Sequence, residues 1–134
     1  AYKALMQSLI NEEVPLMMHC SAGKDRAGIA TAIIMILLGA DYETVLEEYM
    51  RSKEAQHFNE YVIGEILPKF IHKFAFSHFH AFFMVYPELL DASLNKIKET
   101  YGDYDTYFEK EFGITKEIRA QLIEKYTEPA PIQE

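Results

Sequence analysis

The sequence predicts an α/β arrangement that is mostly helical, with one core strand running into a tight turn and helices behind it. Three observations predict it. Val14-Pro15-Leu16-Met17-Met18 is an apolar run of strand length. Ala27 to Ala40 contains no charged residue and is long enough for a buried helix. From Asp41 onward, helix caps and helical spacings recur almost to the end of the chain. With 134 residues, 49% of them hydrophobic, the chain amounts to one domain or less and has material for a genuine core.

Between the predicted strand and the uncharged helix lies HCSAGKDRAG, His19 to Gly28. A turn there directs the backbone N–H groups of Ser21, Ala22, Gly23, Lys24, Asp25 and Arg26 inward. The unpaired donors and positive dipole end of the next helix add to them, so the turn is built to hold an anion. Cys20, the chain's one cysteine, stands at the mouth of that field. A thiol at a helix N-terminus beside basic groups ionises well below its usual pKa of about 8.5 and becomes a nucleophile. Arg26 can offer a planar fork to two phosphate oxygens at once, which lysine cannot do. Cys20 and Arg26 therefore read as nucleophile and clamp. Gly23 supplies the tight turn and Gly28 opens the helix. His19, last residue of the strand, supports the loop by hydrogen bonding, and the N–H of Ser21 is expected to matter more than its hydroxyl. Lys24 adds charge at the pocket mouth. A nucleotide-binding Gly-Lys loop is excluded, because it needs a glycine where Met18 stands and a Ser or Thr where Asp25 stands.

A phosphate ester also needs an acid for its leaving group. No Asp precedes Cys20, and Glu12 and Glu13 lie beyond the strand, some 20 Å away at roughly 3.3 Å per residue. Asp41 lies past the loop helix. Asp25 is the one carboxyl placed by sequence to reach the phosphate; alternatively it pairs with Lys24 or Arg26 or holds a neighbouring backbone N–H, and an Asp on a segment upstream is the acid.

The remaining elements follow in order. Gly39 ends the loop helix, and Asp41 caps another reaching about Ser52. Ser52 to Gln56 is a polar connection. A helix from His57 carries Phe58, Val62, Ile66 and Phe70 on one stripe and is kinked at Pro68. Phe74 to Tyr86 is strongly aromatic, and reads as core or as a lid over the loop. His72, His78 and His80 do not make a metal site, since an i, i+2 pair cannot share a helix face. Pro87 opens a helix bearing Leu90, Leu94, Ile97 and Tyr101, and Gly102 closes it. Asp103 to Phe112 and Thr115 to Tyr126 are two more helices, parted by Gly113, and residues 127–134 form a flexible tail.

HCSAGKDRAG resembles HCxxGKDRTG, the signature loop of bacterial cysteine-dependent tyrosine phosphatases in the subgroup related to dual-specificity and phosphoinositide phosphatases. Val85 to Leu90, Ile97, Tyr101-Gly102 and Tyr107 to Gly113 resemble that subgroup's C-terminal helices. The resemblance implies a cysteine-phosphatase fold, a phosphocysteine at Cys20, phosphate binding by Arg26, and Asp25 and Lys24 facing substrate. It also implies that the 74–86 segment corresponds to an insertion that covers the site in some relatives. Two departures stand out. Ala27 replaces a Thr whose hydroxyl helps the thiolate leave, which implies slow hydrolysis of the phosphoenzyme. And only 19 residues precede the nucleophile, where such enzymes carry most of their sheet.

Residues 1–134 are therefore expected to be the C-terminal part of a single phosphatase domain, the loop helix needing cover on every side and the lone strand needing neighbours. An N-terminal fragment or a second chain would complete the sheet, with a swapped dimer as the alternative. The expected activity is hydrolysis of phosphotyrosine, with phosphoserine and phosphothreonine as further substrates, and no cofactor or metal is called for. A phosphoinositide phosphatase, favoured by Lys24, and an inactive phosphate-binding or helical interaction module are the alternatives. The net charge of −8 argues against nucleic acid. No run is long enough to span a bilayer, and a single cysteine suits the reducing cytoplasm.

Overall fold

The uncharged stretch after the glycine-containing turn becomes the central helix of the molecule. In the computed structural model, which describes residues 1–21, 23–52 and 85–128, six helices are seen: α1 (Tyr2–Ile10), α2 (Arg26–Leu37), α3 (Tyr42–Met50), α4 (Pro87–Tyr101), α5 (Tyr104–Phe112) and α6 (Lys116–Tyr126). Ala30, Ala32, Ile33, Ile36 and Leu37 of α2 are buried, and Ile29, Ile34, Met35 and Leu38 pack against the same core. Those positions surround the helix axis, so α2 requires cover on several sides, as its composition demands. α3 and α5 lie directly against it; α3 also meets α4, α4 meets α5, and α1 lies against α5 and α6. Leu37, Val45 and Leu90 are completely inaccessible to solvent, and burial of such a side chain contributes about 1.5–3 kcal/mol.

Local chemistry sets most helix ends. α2 stops in a Schellman arrangement: Gly39, at φ +95°, donates to Ile36 O (3.1 Å) while Ala40 donates to Met35 O (2.9 Å). Asp41 then accepts from Thr44 N (2.8 Å) to start α3, Asp103 accepts from Thr106 N (2.7 Å) to start α5, and Thr115 accepts from Ile118 N (3.4 Å) to start α6. Pro87 occupies the first turn of α4. The C-terminal helices thus match the sequence expectation to within a residue or two.

Two expectations are corrected. Val14 to Met18 is not a strand: among the described residues there is no β-structure at all, and the chain from Glu13 to Cys20 runs without a ladder partner. An apolar run becomes a strand only when another segment pairs with it. Here Val14, Leu16 and Met17 are exposed instead, Met17 at 93%. The second correction concerns residues 2–10, to which no element was assigned from sequence. They form α1, with Met6 and Leu9 buried. Expectations for the connection after Ser52, the helix from His57, the aromatic run as far as its last two residues, His72, His78 and His80, and the tail from residue 129 fall outside the described residues, as does Ala22. Of the aromatic run, Val85 is buried and Tyr86 precedes α4.

Candidate active site

The loop ends where α2 begins. Gly23 has φ +73°, a left-handed conformation that side chains with a Cβ resist, so the glycine expected at the turn stands where the backbone requires it. Asp25 is the N-cap of α2, yet its side chain makes no cap bond; it pairs instead with Lys24 (3.0 Å). Asp41 and Asp103, the N-caps of α3 and α5, do engage their helices. The first-turn donors of α2 therefore lack the carboxylate that fills this position in those two helices. That end of α2 is suited to an outside anion.

Arg26 is the first residue of α2. Its Nη2 donates back across the loop to Ser21 Oγ (3.2 Å), so the hydroxyl of Ser21, expected to matter less than its N–H, holds the guanidinium. Cys20 is half-buried. A cleft of about 400 Å³ opens beside it, bordered by Tyr2, Leu5, Leu16, Met17, His19 and Arg26. His19 is exposed. Lys24 is the surprise: expected at the pocket mouth, it is 5% exposed, its ammonium held by the half-exposed Asp25. Gly28 has a packing role, because a Cβ there would come within 3.0 Å of Tyr49 Cε2. The missing side chain lets α2 and α3 approach. The tyrosine thus pressed against the loop helix has its hydroxyl pKa raised, first by burial and then by the negative charge of Asp25.

Glu12 and Glu13 are engaged elsewhere, Glu12 with Lys125 and Glu13 with Ser8 Oγ (2.7 Å). Among the described residues, no group of three or more His, Cys, Asp or Glu is arranged to hold a metal ion.

The sequence profile of the tyrosine phosphatase family matches residues 1–128, loop and C-terminal helices together. The chain belongs to the tyrosine phosphatase family. Over 111 residues it is 26% identical to the triple specificity protein phosphatase PtpB of Mycobacterium tuberculosis, an alignment covering 76% of this chain and 40% of that protein. Over 93 residues it is 29% identical to a Cupriavidus necator protein provisionally named a tyrosine-protein phosphatase, covering 69% of this chain and 33% of the other. The chain spans well under half the length of these curated relatives. For a tyrosine phosphatase family member, a cysteine-phosphatase fold is the one expected; the described residues are mostly helical and contain no strand. Among them, no helix is long and apolar enough to cross a membrane.

Sequence reasoning about this phosphatase-family loop missed Tyr2. Its hydroxyl donates to Arg26 O (2.9 Å). Burial raises its pKa, the charge of Cys20 raises it further, and Arg26 opposes both. The available signal was the spacing of Tyr2, Leu5, Met6 and Leu9, which describes one face of a helix ending just before the apolar run.

Proposed function

We propose that this protein hydrolyses phosphotyrosine, and phosphoserine or phosphothreonine as well, through a cysteinyl-phosphate intermediate. One observation carries the reading: a single loop brings Cys20 and Arg26 to the start of α2, whose N-cap carboxylate faces Lys24 and leaves the helix donors to another anion. In the first step the Cys20 thiolate attacks phosphorus. An S–P bond forms, the P–O bond to the leaving group breaks, and the departing oxygen takes a proton from Asp25. In the second step water attacks the phosphocysteine, gives its proton to the same carboxylate, and releases inorganic phosphate with the thiolate restored. Arg26, with the loop amides of Ser21 through Arg26, balances charge on the equatorial oxygens. No metal or cofactor enters.

The triple specificity in the mycobacterial relative's name supports a range wider than phosphotyrosine. Lys24 was the residue that favoured inositol phospholipids, and its burial against Asp25 withdraws that charge from the surface, so phosphoproteins are the preferred substrates. The sheet expected of the family is proposed to come from an N-terminal segment or a second chain, and a reducing compartment suits the thiolate. The test is vanadate-sensitive turnover of p-nitrophenyl phosphate and phosphopeptides. Cys20→Ser is expected to abolish it while leaving the fold intact. Undiminished turnover in that variant would overturn the mechanism, and a folded chain without turnover would favour a binding module.

A further inference from the structure

Arg26 is gripped twice. Its guanidinium is held by Ser21 within the loop (3.2 Å), whereas its carbonyl is held from outside by the hydroxyl of Tyr2 (2.9 Å), 24 residues earlier in the chain. That second grip comes from a fixed support. α1 is anchored by the buried Met6 and Leu9, by Tyr126 Oη donating to Leu9 O (3.0 Å), by the Lys3–Glu111 ion pair (3.5 Å) and by Glu12 with Lys125. Tyr2 therefore transmits the position of the C-terminal helices to the first peptide of α2. The same ring borders the cleft at Cys20.

We propose that Tyr2 is a positioning residue of the phosphate loop: by donating to the Arg26 carbonyl from an anchored helix, it fixes the first turn of α2 and with it the separation of guanidinium and thiolate. The proposal rests on the thiolate chemistry proposed above. Its electrostatics agree with that chemistry. Burial and the nearby Cys20 charge both favour the neutral phenol, so Tyr2 stays a hydrogen-bond donor and places no second negative charge beside the sulfur. Truncation to phenylalanine keeps the ring and removes only the hydroxyl.

The experiment compares the full chain with Tyr2→Phe by the rate of iodoacetamide alkylation of Cys20 as a function of pH, by kcat and KM on p-nitrophenyl phosphate, and by melting temperature. Ile114→Val, a small change in the buried core, serves as a control for general loosening. In Tyr2→Phe the alkylation inflection should move to higher pH and kcat should fall about fivefold with KM within about twofold, while Ile114→Val keeps the original profile. Alkylation curves and kcat that superimpose on those of the unsubstituted chain would overturn the proposal, whatever the melting temperature does. So would an equal shift in Ile114→Val. If the unsubstituted chain shows a depressed thiol pKa but no turnover, the phosphatase reading falls by itself, and the alkylation shift still decides the role of Tyr2.

Discussion

At the residue scale, the loop's backbone geometry was legible because it is local. Cys20, Gly23 and Arg26 lie within seven consecutive positions, and a backbone turn beside a helix start dictates what each can do. What sequence could not supply is the direction of side chains whose partners lie on other elements. Lys24 was expected at the pocket mouth and is buried; the amide of Ser21 was expected to matter more than its hydroxyl, yet that hydroxyl holds Arg26. Asp25 illustrates the ambiguity best, since its contact with Lys24 (3.0 Å) could either orient a proton donor or serve only to bury a lysine. The two roles predict different kinetics. If Asp25 is the acid, Asp25→Asn should leave kcat for a good leaving group such as p-nitrophenol nearly unchanged and reduce it about 100-fold or more for an alkyl phosphate. Equal losses with both substrates would assign Asp25 to holding Lys24.

At the scale of elements, helices announced by their caps were found where those caps stand: Asp41, Pro87, Asp103 and Thr115 each open one, and Gly102 and Gly113 each close one. α1 went unread because Ala1 offers no capping side chain and neither proline nor glycine frames the helix. Val14 to Met18 was misread because an apolar run states burial potential, not the presence of a pairing partner. The carboxyl end of α2 shows a third kind of illegible contact. Arg119, on α6, donates to Leu37 O (2.9 Å) and Ile36 O (2.7 Å), pairs with Asp105, and lies 5.5 Å from the centre of the Phe108 ring. A cation on the last carbonyls of a helix satisfies both their lone pairs and the dipole. Arg119→Ala should lower the unfolding free energy by about 2–3 kcal/mol, read from urea midpoints at constant m-value. Arg119→Lys should recover less than half, because an ammonium cannot span two carbonyls and a carboxylate together. Full recovery by lysine would show that charge alone matters.

At the scale of the whole molecule, the sequence implied that the loop helix must be covered all round; among the described residues Ala30, Ala32, Ile33, Ile36 and Leu37 are buried, while Ile29, Ile34 and Met35 are half-buried. The enclosing helices bring several tyrosines into apolar surroundings that composition alone could not locate. Tyr107 has its pKa raised to about 12, mainly by burial and further by Tyr101, Glu111 and Tyr2, and the hydroxyls of Tyr2, Tyr49 and Tyr104 shift the same way. A group whose folded pKa exceeds its unfolded value near 10 contributes stability that is complete below pH 10 and lost as pH rises through the folded value. The carboxylates of Asp41, Asp103 and Glu111 are shifted downward by their hydrogen bonds; their contribution is complete above the unfolded pKa near 4 and lost as pH falls below it. Melting temperature should therefore drop between about pH 10 and 12, and Tyr107→Phe should flatten that drop. Parallel curves for the two proteins would acquit the phenol cluster.

Tyr2 holds the amino end of α2 and Arg119 holds its carboxyl end, so two segments more than a hundred residues apart in the sequence meet on one rod. Fraying of either segment is then felt at the loop proposed to hold phosphate, without any intervening messenger. Loss of ligand affinity and global melting should coincide as a single cooperative event, with no half-molten species that still retains an oxyanion.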